Sequence, residues 1–379
     1  MRIILSGGGT GGHIYPAITI ARVLEAKLYE AGQPSTILFV GTKAGLEADI
    51  VPKEGYKLRT IDVQGFERRL SFKNVQTVCK IVGSLWESYR IIQDFKPDLV
   101  IGTGGYVCGP VLLAASLLKK PTLIQEQNVI AGITNKTLAR FVDCVAVGYE
   151  EASPYFSAFT KVVVSGNPIR PDVMTATREQ AIKELGLDPL KKTVLVSGGS
   201  RGARSINQAM TTVYQNFQND KSIQILHITG QSEYNSIVGI LQASGIYPEE
   251  IGNIKIVPYL YNMPQALASA DLAVFRAGAI GLAELAARAI PSILIPYPYA
   301  AENHQEHNAC VLEDHGAAVV IRDSELTGEK LTAVIRNLFD HPEKLATKAA
   351  ASQKLGRPEA AECIADAAIA LSSCQLGGK

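Results

Sequence analysis

Ten short apolar runs, none alternating with polar residues, recur along the chain: 3–5, 36–40, 98–101, 121–124, 144–147, 193–196, 223–228, 255–257, 272–275 and 292–295. Such runs suit strands covered on both faces, and helix-period patterns fill most of the gaps between them. Buried strands separated by helices are joined by crossovers, so the chain reads as α/β with doubly wound parallel sheets. The pattern also repeats. Ile4-Leu5-Ser6-Gly7-Gly8-Gly9-Thr10-Gly11 resembles Leu195-Val196-Ser197-Gly198-Gly199-Ser200-Arg201-Gly202, 191 residues later. Each half thus begins with a strand running into a glycine-rich turn.

The 379 residues have room for two domains, each with its own core. The break is expected at Val164-Ser165-Gly166-Asn167-Pro168-Ile169-Arg170-Pro171, where a strand ends in Gly and two prolines. This gives an N-terminal domain over 1–165 and a C-terminal domain over 166–357. The alanine-rich segment 358–379, after Arg357, is free to pack on either half, a crossing back to the first included. With 37 basic and 36 acidic side chains, nothing favours bulk nucleic-acid binding. Residues 1–165 nevertheless hold 18 basic against 14 acidic residues, the excess lying in 57–90 with seven against three. Six scattered cysteines form neither a zinc pattern nor a disulfide framework, which points to a reducing cytoplasm. The start shows no signal-peptide pattern. The uncharged run 99–118 is long enough to span a bilayer, but four glycines and Pro110 among its first twelve residues make it strand, turn and helix start.

Gly7-Gly8-Gly9-Thr10-Gly11-Gly12-His13 formally satisfies G-x-G-x-x-G: glycines allow close approach, and the following helix N-terminus offers N–H groups to an anion. A dinucleotide site would add an acid after the second strand, where Gly41-Thr42-Lys43 stands instead, so a nicotinamide or flavin enzyme is disfavoured. Similar turns follow at Gly102-Thr103-Gly104-Gly105-Tyr106, Ser197 to Arg204, and Arg276 to Gly281. Any one of them could merely let a helix sit close to a strand. Four in two facing domains suggest a cleft for a diphosphate and a sugar.

His13, at the edge of the first loop, could take a proton from a sugar hydroxyl, or only cap and pack on its helix. Glu284 could accept two ribose hydroxyls, or only complement a helix dipole. His304 and His307 lack the i, i+4 metal spacing, and no ligand triad is defined, so no metal is expected. Residues 72–92 carry two apolar stripes, one through Val82, Trp86 and Tyr89 and one through Ile81, Leu85 and Ile92. Arg68, Arg69, Lys73 and Lys80 stand beside them. The second stripe suits either burial or docking on anionic lipid headgroups.

Gly8-Gly9-Thr10-Gly11-Gly12-His13, with Gly102 to Tyr106, Glu126-Gln127-Asn128, Gly166 to Arg170, Gly198 to Ala203 and Asn303-His304-Gln305, resembles the MurG family, the peripheral membrane glycosyltransferases of bacterial peptidoglycan synthesis. The motifs span essentially the whole chain in order. The resemblance implies the GT-B fold, two Rossmann-like doubly wound parallel-sheet domains facing across a cleft, with acceptor in the first and UDP-sugar in the second. It implies inverting transfer of N-acetylglucosamine (GlcNAc) from UDP-GlcNAc to the C4 hydroxyl of the muramyl sugar of lipid I, at the cytoplasmic face of the cell membrane. No cofactor is implied. Carried-over positions put Thr10, Gly11, Gly12 and Asn128 near the transferred sugar, with Tyr106 also in the substrate site. They put Arg170 and Ser200 on the diphosphate side, and Leu260 against uracil. Ala279, Ile280, Gly281, Leu282, Ala283 and Glu284 surround the α-phosphate and ribose, and Gln305 holds sugar hydroxyls. His13 is the expected base, with Glu126 the second candidate. Residues 68–92 are the expected membrane surface.

Three positions depart from the family pattern. Gln125 stands where His is common, so any role of that His is absent. Ala277 and Gly281 replace hydroxyl residues in the third turn, each a lost phosphate bond of ~0.5–1.5 kcal/mol that backbone N–H groups can replace. The rival readings are another GT-B enzyme, such as a diacylglycerol glycosyltransferase, differing around 102–130; a UDP-GlcNAc 2-epimerase, needing no lipid acceptor; and a non-catalytic scaffold, which would not need His13, Glu126 and Arg170.

Overall fold

The computed structural model describes residues 1–63, 73–199, 201–247 and 251–376. The chain forms two compact units, Met1–Ile169 with Glu359–Lys379, and Arg170–Pro358. In the first, β1 (Arg2–Ser6), β2 (Thr36–Gly41), β3 (Lys57–Thr60), β4 (Leu99–Gly102), β5 (Thr122–Glu126), β6 (Cys144–Val147) and β7 (Lys161–Val164) pair in parallel in the order β3-β2-β1-β4-β5-β6-β7. In the second, β8 (Lys192–Ser197), β9 (Ile223–Ile228), β10 (Ile254–Val257), β11 (Leu272–Phe275), β12 (Ser292–Leu294) and β13 (Ala318–Val320) follow the order β10-β9-β8-β11-β12-β13. The expected apolar runs all lie on strands. β3, β7 and β13, each at an edge of its sheet, were not among them, because they are only partly covered: Lys57 and Arg59 face solvent on β3, Lys161 and Val164 on β7, and Val319 and Val320 are half-buried on β13.

Helices cover both faces of the first sheet, giving one apolar cluster around Ile4, Val100, Val111 and Ile124 and another around Ile3, Leu5, Ile14 and Leu24. The run 99–118 divides into β4, a turn and the helix Cys108–Leu117. Among the described residues no helix is long and apolar enough to cross a membrane. The helix Ala360–Leu376 returns to the first unit, where Ile364, Ala365 and Ala368 are buried with Ile14 and Leu24 and Lys27 pairs with Asp366 at 2.6 Å.

The second unit centres on Val194, Met210, Ile225 and Val274. Inside it His227 is fully buried on β9. Its Nε2 lies 3.0 Å from Asn207 Oδ1, while Nδ1 faces the Tyr214 hydroxyl, and Asn207 donates its amide N–H to Thr229 O at 2.9 Å. The amide oxygen only accepts, so Nε2 carries the hydrogen and Nδ1 accepts from Tyr214. Burial pushes the imidazole pKa down to about 3.

Two outcomes follow from these cores. Ile364→Ala should cost the first unit about 2–5 kcal/mol, read as a lower denaturation midpoint. For His227, a folded pKa below the unfolded one means stability complete above ~6.5 and lost as pH falls toward 3. Thermal unfolding at pH 7 and pH 5 should show the unaltered chain losing about 2 kcal/mol more than His227→Gln.

Candidate functional site

In each sheet the strand order reverses between two neighbours, β1 and β4 in the first and β8 and β11 in the second. Connections leaving such neighbours pass to opposite faces, which opens a crevice at the carboxyl ends of the strands. The four glycine turns are the segments that follow β1, β4, β8 and β11.

In the first unit the turns after β1 and β4 press on each other. A Cβ at Gly105, where φ is +84°, would stand 2.5 Å from Gly8 O, and one at Gly7 would stand 2.1 Å from the Thr103 hydroxyl. These glycines therefore serve backbone approach. Thr10 is the N-cap of the helix Gly11–Glu30; its hydroxyl makes no capping bond and no acid stands in the first turn. The positive end of that helix is thus not neutralised by its own side chains. Thr10 and Gly12 are exposed, Gly11 is half-buried, and a Cβ on Gly9 would lie 3.4 Å from the ring of Tyr106, itself 38% exposed.

His13 Nδ1 lies 3.0 Å from both Thr103 O and Gln127 Oε1. Both are acceptors, so Nδ1 carries the hydrogen and the neutral ring keeps its lone pair on Nε2. Gln127 donates to Thr103 O at 2.6 Å and to Gln125 Oε1; Gln125 donates to Asn167 Oδ1 at 2.9 Å; Asn167 donates back to Gln127 O at 2.9 Å. Gln125, the departure from the family pattern, is thus a buried link in an amide chain that ends on His13.

Glu126, at the end of β5, is buried, and its carboxylate meets four donors. Oε1 accepts Asn128 N–H (2.9 Å) and the Asn128 amide (3.3 Å); Oε2 accepts Gly132 N–H (2.9 Å) and the Asn135 amide (2.8 Å). It therefore shapes the loop carrying Asn128 and ties down Gly132, the N-cap of the helix Ile133–Leu138.

In the second unit Ser200 lies outside the described residues. The turn after β8 enters the helix Arg204–Phe217, and Gly202, at φ +76°, lies so close to Thr229 that a Cβ would stand 2.1 Å from its carbonyl oxygen. The turn after β11 enters the helix Ala279–Ala287 with Gly278 as N-cap, no side-chain cap and no acid in the first turn. Ala279 and Leu282 are buried, and Ile280, Gly281 and Ala283 half-buried. Glu284 is brought to Arg170, its Oε1 lying 3.4 Å from Nε and 3.5 Å from Nη2. Burial raises the Glu284 pKa, and the Arg170 charge offsets only part of that. Leu260 is half-buried in the segment after β10, between Tyr259 and Tyr261, whose rings meet edge-on at 4.8 Å. Gln305 Oε1 accepts Tyr297 N–H at 3.0 Å, beside Glu302 and Asn303 in left-handed conformations (φ +51° and +53°). His304 bonds Ala301 O at 2.8 Å, and among the described residues no three His, Cys, Asp or Glu side chains are grouped to hold a metal ion.

Two residues have structural roles that the motif reading did not assign, Arg276 entering it only as the first residue of the turn after β11. Glu47 accepts Gly9 N–H at 3.1 Å from a fully buried position. Arg276 braces the turn after β11 by donating to Ile295 O and Pro296 O, both at 3.1 Å, and to the Ser205 hydroxyl at 2.8 Å. The Glu47–Gly9 pairing spans 38 residues and the Arg276–Ser205 pairing 71, so the fold and not a local motif makes both.

Comparison with known proteins matches the glycosyltransferase family 28 N-terminal domain to residues 3–147 and its C-terminal domain to residues 193–364. The chain is 51% identical, over 95% of its length and 96% of the relative's, to the UDP-N-acetylglucosamine–N-acetylmuramyl-(pentapeptide) pyrophosphoryl-undecaprenol N-acetylglucosamine transferase of Desulforamulus reducens. It is 48% identical to the protein of that name from a Thermoanaerobacter species, over 96% and 98% of the two chains. Among solved structures, MurG of Acinetobacter baumannii superposes with TM-score 0.75 at 28% identity, over 97% of this chain and 99% of that one. A UDP-GlcNAc 2-epimerase from Neisseria meningitidis, at TM-score 0.67 and 13% identity over 97% and 99%, shares the fold alone. Two parallel-sheet domains, both matched in order, and this identity to named transferases make the chain a member of glycosyltransferase family 28, of GT-B fold and, within that family, of the MurG enzymes.

Proposed function

We propose that the chain transfers GlcNAc from UDP-GlcNAc to the C4 hydroxyl of the muramyl sugar of lipid I, releasing UDP and forming lipid II for peptidoglycan synthesis. The observation that carries this reading is 51% identity, over 95% of the chain, to a transferase named for this donor and acceptor. In this reading the first unit takes the acceptor and the second the UDP-sugar. His13 Nε2 receives the C4 hydroxyl proton as the oxygen attacks C1 of the donor. The bond from C1 to the β-phosphate oxygen breaks, the electron pair leaves with UDP, and one displacement turns the α donor into a β linkage. The tautomer set by Thr103 and Gln127 supports this role, since it keeps the accepting lone pair on Nε2.

Charge growing on the diphosphate would meet the uncapped helix starts of the second unit, Ser200 and Arg170, which replaces a metal by fixed dipoles and a guanidinium. Ala279 to Glu284 surround the α-phosphate and ribose, Leu260 faces uracil and Gln305 the sugar hydroxyls. Thr10, Gly11, Gly12 and Asn128 lie near the transferred sugar, and Tyr106 belongs to the substrate site. Glu126, its carboxylate occupied by four donors, positions Asn128 and leaves proton transfer to His13.

The protein sits peripherally on the cytoplasmic face of the membrane through residues 68–92. On the helix Lys73–Phe95, Val82 and Trp86 are 64% and 60% exposed, and Tyr89 stacks on Trp86 at 5.6 Å. An exposed aromatic and aliphatic strip suits the headgroup boundary, where basic residues add attraction. Of those, Arg68 and Arg69 lie outside the described residues, and Lys80 stands 3.8 Å from Asp62.

With a short-chain lipid I analogue and EDTA, the unaltered chain should form the disaccharide-lipid, identified by mass; UDP release without acceptor, or formation of N-acetylmannosamine, would instead favour an epimerase. His13→Ala should lower kcat by roughly 10²–10⁴-fold while calorimetry finds UDP binding unchanged. Replacing Trp86 and Lys73 with Ala should reduce co-sedimentation with anionic vesicles and spare UDP-GlcNAc binding; equal loss of both would rule out the docking surface.

A further inference from the structure

We infer that Glu47 is a positioning residue for the turn after β1, and that Gly8 and Gly45 are glycines because its buried carboxylate fills the space their side chains would take. The inference rests on the acceptor reading of the first unit. Glu47 opens the helix Glu47–Lys53, shortly after β2, and is fully buried. Its Oε2 accepts Gly9 N–H at 3.1 Å; its Oε1 accepts the Thr42 N–H at 2.9 Å and the Thr42 hydroxyl at 2.6 Å. The Thr42 oxygen in turn accepts Gly45 N–H at 3.1 Å, closing the ring.

A Cβ on Gly8 would stand 2.6 Å from Glu47 Oε1, and one on Gly45 would stand 2.2 Å from Oε2; at both positions all three nearest atoms belong to Glu47. Neither glycine has a positive φ, so backbone conformation does not require glycine there. Burial pushes the carboxyl pKa up, but the Thr42 hydroxyl and the N–H groups of Glu47, Thr42 and Gly9 outweigh it, so the group stays ionised below the usual range. An anion held this way has one good position. Because it fixes Gly9, it fixes the start of the segment Thr10 to His13. Gly8, which looks like a phosphate-loop glycine, is on this account spared for an internal anion.

The test uses full-length Gly8→Ala, Glu47→Ala, their combination, and Glu47→Gln. Each single alanine change should cut kcat/KM for the lipid I analogue by roughly tenfold to a hundredfold. The combination should do no more harm than Glu47→Ala alone, because the added methyl then has nothing to displace, and KM for UDP-GlcNAc should stay within about twofold. In Glu47→Gln, which keeps the volume, hydrogen exchange of the Gly9 amide should quicken by roughly tenfold or more. Losses that multiply in the combination would mean that Gly8 faces the ligand, and a donor KM rising in step would mean a general loss of structure; either overturns the inference, as does unchanged exchange at Gly9. Exchange needs no turnover, so lack of product from the unaltered chain would count against the acceptor reading and leave the exchange result to decide the role of Glu47.

Discussion

Because the strands of each sheet run parallel, every connection must carry the chain from the carboxyl end of one strand back across a face to the amino end of the next. Turns, helix starts and loop side chains are thereby gathered along one edge of the sheet. Between β1 and β4, and again between β8 and β11, the connections part to opposite faces, and that edge becomes a crevice. His13 and Glu126 in the first unit, and Arg170, Glu284 and Gln305 in the second, belong to segments on these edges. The glycines are consequences of the same constraint. Two strands side by side in the sheet deliver their turns only a backbone's width apart, as Gly105 and Gly8 show.

Crowding at such an edge buries polar groups, and each buried group needs a partner. The first unit meets that need with the amides of Gln125, Gln127 and Asn167 and with the four donors around Glu126. In the second unit the chain Tyr214, His227, Asn207 and Thr229 does it, together with Arg276 across Ser205, Ile295 and Pro296. Networks held by this many hydrogen bonds have few alternative arrangements, so they hold turns that contain few side chains of their own. Rigidity is supplied from behind the glycines.

Much of the architecture was legible because burial on both faces leaves a continuous apolar run, which is why the central strands stood out as such runs and the half-exposed β3, β7 and β13 did not. The site was legible where chemistry and chain order coincide, as at His13, one residue beyond its glycine loop. It was not legible where the fold makes the partnership. Arg170 and Glu284 each belong to a recognisable motif, yet 114 residues separate them and only the tertiary structure pairs them. Glu47 belongs to no motif, and only when β2 is laid beside β1 is its carboxylate brought to Gly9. The amide in place of a family histidine at Gln125 reads as a loss; in the fold it is a link to the imidazole.

The return of the helix Ala360–Leu376 to the first unit affects how the protein is made. On the ribosome, residues 1–169 emerge well before Ile364, Ala365 and Ala368, the side chains that complete the cluster around Ile14 and Leu24. Until then part of that apolar face has no cover. The second unit, whose sheet and core helices lie wholly within Arg170–Pro358, has all its residues out of the exit tunnel sooner. Domains fold as units in the order in which they become complete. The unit that leads the sequence is therefore the one finished last.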